Sequence, residues 1–232
     1  MIRSFFFILI IFSTFPAFSQ KKKIPTAAIR FINTANGKPV VMNENIYSNA
    51  FDEKYSVTKF RYYISNLQFI TDPLGPTGKN SFLADASKTN VFRIKKPKGK
   101  ITGISFLLGV DSILNCSGAQ SGALDPLNDM FWTWNSGYVM FKLEGKSDSS
   151  QADLQRIEQH IGGYRDPYKT MRQVDLYFKK GVPAKYIVRL DLDKYWNGDN
   201  QIHISRIPLI TKPGDDAVRS ADNFKGMFSL IE

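Results

Sequence analysis

Cysteine is almost absent from this sequence. Cys116 is the only thiol in 232 residues, so no intramolecular disulfide can form and a hydrophobic core must carry the stability. Histidine is nearly as scarce, with only His160 and His203, and they do not form the helical His pair of a zinc protease. There is no Cys-x-x-Cys and no glycine-rich phosphate loop, so haem, zinc-protease and nucleotide readings lose their usual support. Many serines could be drawn into a Ser-His-Asp triad, but no nucleophile elbow presents one. A glycosidase pair of carboxylates is defined by its separation in space, which a sequence does not give. The chain is therefore expected not to be an enzyme.

Long apolar runs are also missing, apart from Phe5 to Phe12 behind Arg3. That run, closed by Ala17-Phe18-Ser19, has the layout of a secretory signal peptide over residues 1–19, with a single domain over residues 20–232. It is too short for a lasting span of the bilayer, and no cysteine follows it to take a lipid. The expectation is a periplasmic or secreted protein with no stable membrane anchor. Charge of one sign is in excess: Lys and Arg number 31 against 21 Asp and Glu, a formal net charge of +10. The cations gather at Lys21 to Lys23 and at Lys95, Lys96, Lys98 and Lys100. Export and the lack of any recognition motif argue against a nucleic-acid partner. A solvated face is the first reading of these clusters, and attraction to an anionic membrane surface the second.

Strand patterning fills most of what is present. Ala27, Ile29 and Phe31 alternate with Ala28, Arg30 and Ile32, then Asn36-Gly37 marks a tight hairpin with Pro39 to Met42 as its return. From Val57 to Ile70 the apolar face runs through Phe60, Tyr62 and Ile64. It switches phase at Ser65-Asn66 to continue through Leu67 and Phe69, as a bulge requires. Further strands are expected at 82–84, 91–94, 101–108, 172–178 and 186–192. The small-residue stretch 111–122 reads as a long excursion with one helical turn, and 153–163 is ambiguous between strand and helix. Asp215 to Phe228 has helical spacing of Val218, Ala221, Phe224 and Phe228, with acidic residues at its start. The pattern predicts a mainly β domain, an antiparallel β-sandwich of Greek-key-like type with a short C-terminal helix.

Trp132 and Trp134 stand one residue apart between a Pro-Asn-Asp turn and the strand Tyr138 to Glu144, marking either a core floor or the wall of a site. His160 precedes Ile161-Gly162-Gly163, where glycines admit close backbone approach. His203 alternates with Ile202 and Ile204. Imidazole is the commonest metal ligand, so both histidines are candidates, His160 ahead of His203. Cys116 is a soft donor in principle and a buried, inert thiol by the commoner reading.

The run Asp129-Met130-Phe131-Trp132-Thr133-Trp134-Asn135-Ser136-Gly137-Tyr138, followed by Lys142-Leu143-Glu144-Gly145, resembles the signature of the copper-binding MbnP-like family of exported bacterial proteins. Phe60 to Asn66, Gly109-Val110-Asp111, His160 to Gly163 and the tail Pro213 to Ala217 match in the same order. The resemblance implies a β-rich periplasmic domain holding copper through histidines and a tryptophan oxidised to kynurenine by a MauG-like dihaem partner enzyme. By position, Trp132 and Trp134 are the candidates for modification and His160 for the ligand, with Asp125 and His203 as further metal candidates. Family members often read His-Pro where this chain has Asp125-Pro126, and Gly where it has Asp129. A domain of the same fold that has lost metal binding and serves as a non-catalytic envelope interaction module is the alternative.

Overall fold

Apolar residues at every second position give strands here because each strand buries one face and wets the other. The computed structural model describes residues 25–43, 46–73, 75, 78–118, 120–133 and 135–231. The expected signal peptide, the Lys21 to Lys23 cluster and Trp134 lie outside the described residues.

In chain order the elements are β1 (Thr26–Ala35), β2 (Lys38–Pro39), β3 (Ile46–Ser48), β4 (Lys54–Asp72), β5 (Ser81–Asp85), β6 (Asn90–Lys95), β7 (Lys100–Leu108) and helix α1 (Ser112–Cys116). There follow β8 (Phe131–Thr133), β9 (Gly137–Lys146), β10 (Arg156–Gly162), β11 (Arg172–Tyr177), β12 (Tyr186–Asp191) and α2 (Asp193–Trp196). The chain closes with β13 (Leu209–Ile210), α3 (Asp215–Asp222), α4 (Phe224–Met227) and β14 (Phe228–Ile231).

One sheet has the order β14-β12-β1-β2, with β6 also on β1; the other runs β11-β7-β4-β9-β10-β13, with β3 and β5 also on β4. Both are mixed, which corrects the expectation of purely antiparallel pairing. β1 runs parallel to β12, and β10 parallel to β13. Parallel neighbours need a long crossover, and between β1 and β12 that crossover is most of the molecule. Phe31 on β1 meets Phe106 on β7 with ring centroids 5.5 Å apart, and Phe228 on β14 meets Phe106 at 5.0 Å. These rings join the two sheets in one core. Each large side chain so buried contributes about 1.5–3 kcal/mol.

β4 is the common strand of the second sheet. Ser56 to Tyr62 pair with β9, and Ile64 to Asp72 pair with β7. The expected phase switch is real: the register shifts between Ser65 and Gln68, and Asn66 takes a φ of 54°. The side chain of Asn80 fills the gap, accepting from the Leu67 N–H at 2.8 Å and donating to its carbonyl at 2.9 Å.

The excursion after β7 has a small core of its own. Met130, Tyr138, Met140 and Tyr164 are buried there with Trp132 packed against them. Asn115, only 2% exposed, pins α1 to β9. Its amide donates to the carbonyls of Val110 and Asp111, and its oxygen accepts from the Tyr138 N–H at 2.9 Å. Among the described residues no helix is long and apolar enough to cross a membrane.

Candidate functional site

On β4, β9 and β10 the core takes Phe60, Tyr62, Phe141, Leu143, Ile157 and Ile161. The opposite phase must therefore project outward together. Lys59 sits beside Glu144 and Glu144 beside Glu158, while Arg61 sits beside Lys142 and Lys142 beside His160. Asp129 is brought over this strip by the 3-10 turn Pro126–Asn128 that precedes it, with a φ of 57°. A left-handed residue there is reached at little cost by Gly, Asn or Asp.

The strip is an ion network. Nζ of Lys59 lies 2.9 Å from Oδ2 of Asp129 and 3.4 Å from Oε2 of Glu144. Nζ of Lys142 lies 3.0 Å from the same Asp129 oxygen and 3.8 Å from Oε1 of Glu144, and it also donates to the Asp129 carbonyl. The Lys142 side chain is only 6% exposed. Nε2 of His160 stands 2.9 Å from Oε1 of Glu144. That hydrogen bond, with the charges of Lys59 and Lys142, holds Glu144 below the usual carboxylate range. Burial works against the Asp129 charge, but hydrogen bonds from both lysines leave its carboxyl below the ordinary value. Hydrogen bonding to Asp129 in turn raises Lys59. Next along the strip Arg61 pairs with Asp85 at 2.9 Å and donates to the Asn128 carbonyl at 3.0 Å.

Trp132 joins this group. An added Cβ at Gly162 would lie 2.7 Å from Cζ3 of Trp132 and 2.7 Å from the Tyr138 carbonyl oxygen. The indole thus rests on Gly162, the next residue on the His160 face of β10. Asp125 is used otherwise: it caps the turn, accepting from the Leu127 N–H at 2.9 Å, and its charge faces Tyr63 and Tyr138. His203 is elsewhere, its ring stacked on Phe51 with centroids 3.8 Å apart. Phe51 precedes Lys54 at the start of β4, while His160 is level with Arg61 across Lys142. Seven strand residues separate those levels, on the order of 20 Å. The two histidines do not meet, and the structure sets lysines and carboxylates around His160. Lys59, Lys142 and Glu144 were visible in sequence only as polar positions; their convergence depends on strand pairing.

A copper site needs several soft or borderline donors aimed at one point. His160 supplies one imidazole, already bonded to Glu144, and the carboxylates in reach are neutralised by two ammonium groups. Among the described residues no three His, Cys, Asp or Glu side chains converge as a metal-holding group. A buried ammonium beside those carboxylates repels an entering cation. The residues around His160 do not fit copper in this arrangement.

A protein-family model described as MbnP matches residues 25–212. Among solved structures, MbnP from Methylosinus trichosporium is similar at 15% identity, covering 78% of this chain and 80% of that chain with a TM-score of 0.57. At that identity the likeness speaks for the fold alone. A comparison with curated proteins finds no match.

Proposed function

This chain belongs to the MbnP family, and from that membership we propose that it is an exported, non-catalytic interaction domain in which a lysine-carboxylate network replaces a copper centre at His160. The carrying observation is Lys142: its ammonium is buried, lies 3.0 Å from Asp129, and faces Glu144, the carboxylate bonded to His160. The network is complete with internal cations, so its role is to hold the Asp129 turn and Trp132 against β9 and β10. Function then lies in what the surface meets.

One observation favours the other reading, in which copper binds beside a modified tryptophan. Trp132 lies on Gly162, one same-face position from His160, so a ring-opened indole would sit beside the imidazole. Under that reading a MauG-like dihaem enzyme is the partner and oxidation shifts the mass of Trp132 or Trp134. Copper titration of the chain from Gln20 onward, against a competing chelator, separates the two. The proposal expects no stoichiometric copper and no change in His160→Ala. One copper per chain, lost in His160→Ala, would sink it and install the metal reading.

A further inference from the structure

We propose that the outward face of the β6-β1-β12-β14 sheet docks on the anionic headgroup plane of a lipid bilayer. The inference goes beyond the network at His160 and uses only the export part of the reading above. Core-facing residues of this sheet are Ile29, Phe31, Ile94, Val188, Leu190 and Phe228. The other phase is exposed at Arg30, Val91, Arg93, Lys95, Arg189 and Ile231 and half-buried at Ala28, Ile32 and Ile187. The register sets Val91, Arg30, Ile187 and Ile231 in one row across the four strands. Arg93 lies beside Ala28 and Lys95 beside Thr26, while Arg189 lies between Ile32 and Ser229.

Arg30, Arg93, Lys95 and Arg189 are all exposed. None of the four takes part in an ion pair among the described residues. Among the described residues Arg189 donates to the Ser229 hydroxyl, at 3.2 Å. The acidic side chain of the same phase, Asp191, stands at the end of β12 and accepts from the Asp193 N–H. The contrast with the strip at His160 is physical: there every cation near a carboxylate is paired, and here the cations have none. Val91 and Ile231, 41% and 39% exposed, stand at the two ends of that row, on β6 and β14.

Unpaired cations interspersed with exposed apolar side chains on a sheet face match an anionic interface better than a protein groove. The cations meet headgroups while the short apolar side chains enter the boundary layer. The basic turn after β6 extends the patch, since the Lys96 N–H bonds to the carbonyl of Pro25 at 2.9 Å at the start of β1. Lys98 follows on that turn, and Lys21 to Lys23 come just before Pro25 in sequence. Each Lys or Arg near an anionic leaflet raises affinity roughly fivefold.

The test is co-sedimentation of the chain from Gln20 onward with phosphatidylcholine vesicles containing about one-third phosphatidylglycerol, against pure phosphatidylcholine. Binding is expected only to the anionic vesicles, lost at about 0.5 M salt. In Arg30→Glu/Arg93→Glu/Arg189→Glu it should fall about 100-fold or more. The control Lys54→Glu/Lys146→Glu/Lys169→Glu makes the same change in net charge off this face and should keep most of the binding. Circular dichroism checks that both variants fold, and Arg→Gln versions of the first triple serve if reversal does not. Equal losses in the two triples would overturn the assignment. So would binding to neutral vesicles, or retention on soluble polyphosphate with none on vesicles. The copper titration reads other residues, so either proposal can fail alone.

Discussion

Gly162 is the residue whose side chain, by being absent, lets Trp132 lie on β10. A methyl group there would come within 2.7 Å of both the indole and the Tyr138 carbonyl oxygen. The carbonyl belongs to a sheet backbone and cannot swing away. Gly162→Ala is therefore expected to destabilise by about 1–3 kcal/mol, the usual range for overpacking. Chemical denaturation measures the loss, and a changed near-ultraviolet aromatic signal reports displacement of Trp132. An unchanged midpoint would mean that the indole does not rest there. Lys142 and Lys59 offer a second comparison, because they share partners but differ in exposure, 6% against 34%. Replacing Lys142 by Met leaves Asp129 and Glu144 short of a buried ammonium, and about 1–2 kcal/mol should be lost after discounting for the exposed Asp129. Lys59→Met should cost less than about 1 kcal/mol. The order of the two midpoints is the test.

Among the elements, β4 depends on a device that local patterning half reveals. The apolar phase change at Ser65-Asn66 marks the bulge, but the group that satisfies it is Asn80, in a loop with no pattern of its own. Its amide replaces a strand partner for both polar atoms of the Leu67 backbone. Asn80→Ala should cost about 1–3 kcal/mol by leaving those part-buried groups unmade. Amide exchange at Leu67 should rise in that variant, while exchange at Phe60 in the first half of β4 stays slow. The same limit explains what was legible elsewhere. Strand faces at β1, β7, β11 and β12 follow from alternation, whereas the parallel partners of β1 and β10 are far away in sequence and leave no local trace. The helical spacing over 215–228 persists through Phe224 and Phe228, yet the helix breaks at Asn223, resumes only for Phe224–Met227, and gives way to strand at Phe228. The Asn223 side chain there bonds the carbonyls of Tyr195 and Asn200, and Phe228 is claimed by pairing with Leu190. At the candidate site, His160 and Trp132 could be singled out by residue type. The lysines between them could not, because three strands from distant segments assemble that strip.

Across the whole molecule, these ionisations set opposite limits on stability. Folding lowers the carboxyls of Glu53, Asp85, Asp129 and Glu144 below their ordinary values of 4.5 for Glu and 3.8 for Asp. A lowered acid stabilises the fold above its unfolded value and ceases to as pH falls through the folded one. Asp193 acts the other way, because burial raises it, so its contribution is present at low pH and lost on the rise. Burial also raises the phenols of Tyr62 and Tyr195 above 10.0, and stability is lost as pH climbs past that value. The melting temperature should thus hold a plateau from about pH 5 to about pH 9 and fall on both sides. Glu53 allows the acid limb to be dissected. It is 6% exposed and accepts from the Asn49 amide at 2.7 Å and from the backbone N–H groups of Ile204 and Ser205 at 2.8 and 2.9 Å. It thereby ties the start of β4 to the segment after α2. Glu53→Gln keeps the shape but puts an NH2 where donors converge, so about 2–3 kcal/mol should be lost at pH 7. The loss should shrink as pH falls toward 3, because the native carboxyl is then being protonated as well. A gap between variant and parent that stays constant from pH 7 to pH 3 would show that the Glu53 charge takes no part in joining these segments.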